Sequence, residues 1–133
     1  MSLLLETALH DAFTGLVAGN VHQTVLPDRP RYPAITIMLV GSHPDVTLCG
    51  ESTVTEYRYR IDVYAETRKE TVQIATSVKA IMRRFAWTNA PEMEMDGYEP
   101  EVRQKRRTLD FSVTETAGVD PRVRAARRAA RLA

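Results

Sequence analysis

Residues 53–65 read Thr53-Val54-Thr55-Glu56-Tyr57-Arg58-Tyr59-Arg60-Ile61-Asp62-Val63-Tyr64-Ala65, and alternate residues differ in kind. One row is mostly apolar: Thr55, Tyr57, Tyr59, Ile61, Val63 and Ala65. The other row is mostly charged: Glu56, Arg58, Arg60, Asp62 and Tyr64. A period of two predicts a strand with one buried and one polar face. At ~3.3 Å per residue the run spans about 40 Å, long enough for the central strand of a sheet.

The segments before this strand predict a helix, two strands and a loop. Leu5, Leu9, Phe13 and Val17 recur at helical spacing from Ser2 onwards, with Ser2 as the N-cap and a stop at Gly15 or Gly19-Asn20. Residues 21–26 form a short strand, and a proline-rich connection follows. Residues 34–40 are a second, apolar strand that stops at Gly41, and residues 41–52 are predicted to be a loop.

The segments after it predict one more helix and two more strands. Thr67 and Glu70 match a capping box, and the helix that they begin is expected to end near Trp87-Thr88-Asn89. Residues 92–96 alternate over a short strand, and Gly97 and Pro100 indicate a turn region. Residues 103–114 form the last strand, with Leu109, Phe111 and Val113 inward and Thr108, Asp110, Ser112 and Thr114 outward. Its first half, residues 103–107, has no apolar residue, so it is either exposed or bound to something.

These elements give the order α-β-β-β-α-β-β. We therefore expect a single α+β domain over residues 1–117, with a mostly antiparallel sheet of about four to five strands and two helices on one face. The composition is that of a soluble globular protein, with 44% hydrophobic and 26% charged residues. No apolar run is long enough to span a membrane, and the N-terminus does not resemble a signal peptide, so the cytosol is the default location.

Residues 118–133 form a basic tail with five arginines: Arg122, Arg124, Arg127, Arg128 and Arg131. With Asp120 the tail carries a net charge of +4, so residues 1–117 carry −3 within the total of +1. The tail has two interpretations: a disordered terminus, or a segment that orders on an acidic partner or on nucleic acid. The second interpretation makes the protein a nucleic-acid-binding module, which is the main alternative function.

The sequence offers little for catalysis. His10, His22 and His43 lack the spacing of metal ligands, and no phosphate-binding loop, nucleophile motif or paired-carboxylate signature is present. The residues therefore leave enzyme function open, without a motif that supports it. A third hypothesis is a small enzyme or ligand-binding domain that uses His43 and Cys49 in the 41–50 loop.

The charged face of the central strand has two interpretations that the residues leave equal. Glu56, Arg58, Arg60 and Asp62 are either a solvated face with cross-strand ion pairs or a contact surface in a sheet-mediated assembly. The mixed signs of this row favour self-complementary packing over the binding of one highly charged polymer.

The order of segments resembles the tail-completion, or head-to-tail joining, proteins of long-tailed bacteriophages and prophages. The resemblance spans roughly residues 3–115 and is carried by four blocks after the N-terminal helix. They are Arg31-Tyr32-Pro33-Ala34-Ile35-Thr36-Ile37, Val40-Gly41-Ser42, Leu48-Cys49-Gly50, and Tyr59-Arg60-Ile61-Asp62-Val63-Tyr64-Ala65-Glu66-Thr67. The basic tail lies outside it.

The resemblance implies a structural subunit, similar to a tail terminator, and we therefore expect no catalytic residue, cofactor, metal or small-molecule substrate. Such a subunit forms a ring, often a hexamer, at the head-proximal end of the tail, where it contacts tail-tube and head-connector proteins. The protein would belong to the virion tail and be assembled in the bacterial host cytoplasm, with DNA passing through the ring without specific binding. The expected contact residues are Glu56, Arg58, Arg60 and Asp62, with His43 and Asp45 on the adjoining loop.

Overall fold

The computed structural model describes residues 3–47, 50–84, 93–101 and 103–116. Its elements are α1 (Leu3–Thr14), β1 (Val21–Gln23), β2 (Ala34–Thr47), β3 (Gly50–Ala65), α2 (Arg68–Met82), β4 (Met93–Glu99) and β5 (Gln104–Thr116). The predicted order α-β-β-β-α-β-β and the single α+β domain are confirmed. Neither described helix has the length and apolar character needed to cross a membrane.

One five-stranded sheet contains all the described strands, in the order β1-β2-β3-β5-β4. β1 runs parallel to β2, and the other neighbours are antiparallel. The long alternating run is the central strand, as predicted. β3 pairs with β2 from Gly50 to Tyr64 and with β5 from Val54 to Ala65.

Both helices pack against the same face of this sheet. Seventeen buried apolar residues form one core: Ala8, Leu9, Phe13, Val17, Val21, Ile35, Ile37, Tyr57, Tyr59, Ile61, Val63, Ala75, Val78, Met82, Leu109, Phe111 and Val113. Each large side chain among them contributes roughly 1.5–3 kcal/mol by leaving water. The apolar row of β3 thus holds the helices, as its alternation predicts, and the charged row lies on the opposite face, which we call the open face.

The helix ends follow from local hydrogen bonds. α1 ends at Thr14, and the Gly19 N–H donates to the Thr14 carbonyl at 2.9 Å with Gly19 at φ +84°, a conformation that suits glycine. α2 begins after Thr67, whose hydroxyl accepts from the Glu70 N–H at 3.2 Å, so the predicted cap is confirmed. The same helix ends at Met82, earlier than predicted. Ser2 and the expected stop at residues 87–89 lie outside the described residues.

The predicted stop of β2 at Gly41 and the predicted loop over residues 41–52 are wrong. β2 continues to Thr47 and pairs with β3 as far as Thr47 opposite Gly50. The ladder has one register shift between Leu39 and Gly41 and another between Pro44 and Val46. A bulge inserts a residue without ending the pairing, so the glycine and proline there mark irregularities within a strand.

The extra length of β2 and β3 forms an arm, residues 41–47 and 50–58. β3 has 16 residues and spans about 50 Å, whereas α2 has 15 residues and spans about 22 Å. Because α2 follows β3 directly and returns over it, the helix covers less than half of the strand. The arm therefore extends beyond the end of α2.

Three other boundaries differ from prediction. β1 ends at Gln23, three residues earlier than expected, because Thr24 adopts φ +68°. Gly97 belongs to β4 and not to a turn, and it lies against the Arg106 guanidinium: a Cβ there would come 3.0 Å from Nη2. The turn lies at Pro100–Glu101, and β5 runs from Gln104 to Thr116.

Candidate assembly surface

The structure brings Glu56, Arg58, Arg60 and Asp62 together on the open face. Tyr57, Tyr59, Ile61 and Val63 between them are buried under the helices, so the pleat turns the charged residues to the other side. Arg58 is exposed, and the other three are half-buried. Four of the predicted contact residues therefore form one row along the centre of a continuous sheet.

Side chains of β5 pair with this row across the sheet. The Arg60 guanidinium donates to Asp110 from Nε at 3.0 Å and from Nη2 at 3.4 Å. The Thr108 hydroxyl donates to the Asp62 carboxylate. One interpretation of the charged face included cross-strand ion pairs, and the contact between Arg60 and Asp110 is such a pair.

The same pattern continues towards the arm. The Ser112 hydroxyl donates to Glu56 Oε1 at 2.8 Å, and Ser112 lies opposite Arg58 in the register. These contacts hold three side chains of the charged row, Glu56, Arg60 and Asp62, against β5. A surface whose side chains are already ordered loses little further conformational entropy when it binds.

Asp62 lies in a partly desolvated region of the open face, between the buried residues Thr108 and Tyr64. Burial raises the pKa of its carboxyl, and nearby Asp110 adds to the rise, although the Thr108 hydroxyl, Arg106 and Arg60 oppose it. Neighbouring Tyr64 is buried, and its pKa is raised by burial first and then by Asp62. The middle of the open face is thus a compact polar cluster.

The two contact residues predicted on the loop lie instead in the β2 part of the arm. His43 is opposite Glu56 in the β2–β3 register, so the backbone places it beside the charged row. Asp45 falls at the second register shift, between Pro44 and Val46. The register therefore extends the predicted surface from β3 onto the neighbouring strand.

Sequence reasoning missed the role of β5 in this surface. Thr108, Asp110 and Ser112 were expected to point outward, but nothing in the chain indicated that β5 lies directly beside β3. It also missed Arg107, which donates from Nε to Glu94 and from Nη1 to Asp96, each at 2.7 Å, on the helix side. Opposite charges at the start of β5 and in β4 were the available signal.

Arg107 belongs to a network that joins α2, β4 and β5. Lys79 contacts Glu94 at 3.1 Å, and Arg68 contacts Asp96 at 3.1 Å. Burial alone would raise the pKa of Glu94, but hydrogen bonds from Arg107 and Lys79 outweigh it and hold the pKa below its usual value. Within residues 103–107, Arg106 and Arg107 are therefore bound within the chain, to Glu99 and to Glu94 and Asp96, whereas Arg103 and Lys105 are exposed.

The described residues allow a search for a metal site but do not include the predicted enzyme and tail residues. Over the described ranges no group of three or more His, Cys, Asp or Glu side chains could hold a metal ion. Cys49, on which the enzyme hypothesis depends, and the tail residues Arg122, Arg124, Arg127, Arg128 and Arg131 lie outside the described residues.

Comparison with known proteins gives one family. The family model described as Tail completion protein gp17 matches residues 4–116, from α1 to the last residue of β5. The search of curated proteins found no match. The matched range contains the whole described fold and leaves out the basic tail.

Proposed function

The chain belongs to the tail completion protein gp17 family of phage tail proteins, and from this premise we propose that it forms a ring that joins tail to head. Family membership makes it a structural component of the virion tail that takes part in virion assembly and interacts with other phage tail and head proteins. The ring, which we take to be a hexamer, sits at the head-proximal end of the tail. Its subunits are made and assembled in the host cytoplasm.

One observation carries this proposal: the family match covers 113 consecutive residues, including every element of the sheet and both helices. The match therefore concerns the whole domain and not a short motif. The absence of enzymatic activity and of a cofactor is part of the proposal, because the family is structural. His43 and Cys49 are assigned no catalytic role.

We assign the open face and the arm to contacts with other proteins of the assembly. The row Glu56, Arg58, Arg60 and Asp62 has two arginines between two acids, and Arg60 is compensated by Asp110 at 3.0 Å. A surface of mixed, balanced charges selects a complementary protein surface and gives little attraction to a uniformly charged polymer. His43 and Asp45 extend this surface along the arm.

The net charge of residues 1–117 suits a subunit that surrounds a DNA channel. Residues 1–117 carry a net charge of −3, whereas phosphate binding would require an excess of Lys and Arg. DNA would pass such a ring without being held. This supports a contact with tail-tube and head-connector proteins over direct DNA binding by the domain.

The proposal is tested by sedimentation velocity over a concentration series, with electron micrographs of the heavier fractions and with tail-tube and connector proteins added in turn. We expect rings, or complexes with one of these proteins. A protein that stays monomeric at every concentration and binds neither protein contradicts the proposal. A monomer that does bind them supports the docking role alone.

A second candidate function rests on the five tail arginines, which lie outside the family match. A nucleic-acid-binding module would bind duplex or single-stranded DNA with an affinity that falls steeply with salt. Deletion of residues 119–133 would then abolish binding. An affinity unchanged by the deletion contradicts this candidate.

A further inference from the structure

One end of the sheet carries the whole net charge of residues 1–117. We call this end the distal sheet: the arm, residues 41–47 and 50–58, together with residues 112–116 of β5, which pair with it. Its charged residues are four acids and one cation: Asp45, Glu51, Glu56, Glu115 and Arg58. The net charge of the distal sheet is therefore −3, which equals that of residues 1–117, so the charges of the other residues sum to zero.

The described helices do not reach the tip of the distal sheet. α2 packs on β3 and β5, whereas α1 packs mainly on β1 and α2. Because α2 spans about 22 Å and β3 about 50 Å, the helix side of the sheet continues past the end of α2. The helix layer thus leaves a sheet face on which a further segment can pack.

The basic tail begins at this same end of the sheet. Thr116, the last residue of β5, lies opposite Val54, and β3 extends four residues further, to Gly50 at the arm tip. The arm therefore continues about 13 Å beyond the start of the tail. A tail of 17 residues reaches that distance easily, and its attachment gives it a high effective concentration at its own arm. The fold thus places a segment of charge +4 beside a surface of charge −3.

The sequence of the tail has the pattern of a short basic helix. Asp120 followed by Pro121 suits an N-cap and the first residue of a helix. Four arginines then recur at the spacing i, i+3, i+4 and i+7, which is that of one helical face: Arg124, Arg127, Arg128 and Arg131. An isolated helix of this length is marginal in water, so it needs a surface that stabilises it.

We infer that residues 117–133 dock on the helix side of the distal sheet of their own chain. The arginine face of the tail balances the negative charge of the arm, and the tail continues the helix layer where α2 ends. The open face stays available to the head and tail proteins. The inference goes beyond the proposed function and does not depend on the ring.

Docking on the arm accounts for a basic tail on a subunit that DNA must pass. Five arginines released from the arm would attract phosphate, whereas arginines balanced by the distal sheet are withheld from it. The distal sheet is also the acidic surface nearest to the start of the tail. These two points favour the arm over nucleic acid as the partner of the tail.

Paramagnetic broadening of NMR signals tests the contact in the full-length chain, below the concentration at which rings form. A nitroxide spin label is attached to Cys49, the single cysteine, which lies in the sequence between Thr47 and Gly50. We expect the amide signals of the tail to broaden at 0.1 M NaCl and to sharpen at 1 M, because the Debye length falls from about 10 Å to about 3 Å. The control carries the label on Lys69→Cys in a Cys49→Ser background. Lys69 is exposed on α2 near the opposite end of β3, so this label is expected to leave the tail signals sharp.

A pair of neutral substitutions tests whether charge holds the tail. Glu51→Gln with Glu115→Gln is expected to abolish the broadening of the tail signals. It is also expected to tighten binding to a DNA duplex several-fold, because a segment binds more weakly while it is held elsewhere. Glu66→Gln with Glu101→Gln makes the same change in charge at exposed positions near the opposite end of the sheet. This control is expected to keep the broadening and the weaker binding of DNA.

Three results would overturn the inference. Sharp tail signals at 0.1 M NaCl show that the tail is not on the arm, and its arginines are then available to nucleic acid. Spin-labelled protein without isotope, mixed with isotope-labelled protein without the spin label, reports contacts between copies. Broadening in that mixture places the tail on another copy. Broadening that persists in Glu51→Gln with Glu115→Gln shows that these acids do not hold the tail.

Discussion

The two faces of β3 differ in what they contact. Tyr59, Ile61 and Val63 are fully buried against the helices, whereas Glu56, Arg60 and Asp62 on the open face are half-buried and bonded to β5. Apolar burial holds the helix face together, and cross-strand hydrogen bonds order the open face. The fold thus depends mainly on one face and leaves the other as a polar surface ordered by hydrogen bonds.

Substitutions at two neighbouring residues of β5, one on each face, are expected to differ most in their effect on the free energy of unfolding. Phe111→Ala removes a buried ring from the core and is expected to lower the free energy of unfolding by about 3–5 kcal/mol. Ser112→Ala removes one hydrogen bond to Glu56 and is expected to cost about 1 kcal/mol. Urea unfolding of both variants measures the difference. Equal losses would contradict the division between the faces.

The helix side also contains charges, and Arg107 is the one expected to matter most. Its side chain is only 18% exposed and donates to both Glu94 and Asp96. Arg107→Ala is expected to lower the free energy of unfolding by about 1–2 kcal/mol, since hydrogen bonds to charged groups are lost. Arg68→Ala is the control, because Arg68 is 68% exposed and such a pair contributes about 0–1 kcal/mol. A larger loss for Arg68 than for Arg107 would argue against burial as the cause.

The N-cap of α2 tests how much a single local hydrogen bond stabilises the helix side of the sheet. Thr67→Ala removes the acceptor for the Glu70 N–H and is expected to cost about 1 kcal/mol. Thr67→Ser keeps that acceptor and is expected to retain most of the stability. Thermal unfolding measures the stability of both variants, and an equal loss in the two would contradict this role for the cap.

The two faces should also respond oppositely to acid. The pKa of Glu94 is lowered in the folded protein, so its stabilising contribution is present above the unfolded value of about 4.3 and is lost as pH falls through the folded pKa. The pKa of Asp62 is raised, so its carboxylate opposes folding increasingly as pH rises from about 3.9 through the folded pKa.

Amide variants at these two positions measure that contrast. Glu94→Gln is expected to reduce stability at pH 7 and to approach wild type in acid. Asp62→Asn removes the ionisation that opposes folding, so its stability relative to wild type is expected to rise from acid towards pH 7. Urea unfolding at several pH values gives both curves. Parallel curves for the two variants would contradict the opposite pKa shifts.

The sequence was enough to predict most of the fold, because its signals are local. Alternation in residues 53–65 and 103–114 identified two of the three long strands and their buried residues, and Thr67 with Glu70 identified a helix start. The extension of β2 was missed because Gly41 and Pro44 are typical of loops, and only the pairing with β3 shows that they lie at bulges. Bulge positions depend on the partner strand, which no local pattern specifies.

The candidate surface was predictable only in part for the same reason. Glu56, Arg58, Arg60 and Asp62 follow from alternation within one strand. Their ordering by Thr108, Asp110 and Ser112 depends on β5 lying next to β3, a contact between residues about 50 positions apart in the chain.

The central claim is that the open face serves contact with other proteins while the helix face serves the fold, and Arg58→Glu tests it most directly. Arg58 is exposed, so its replacement is expected to change the free energy of unfolding by no more than about 0.5 kcal/mol. Lys69→Glu makes the same charge change at an exposed position of α2 and is the matched control. The measurement is sedimentation of each protein with the tail-tube and head-connector proteins. We predict that Arg58→Glu loses the complex while Lys69→Glu keeps it, and a complex formed equally by both would contradict the account.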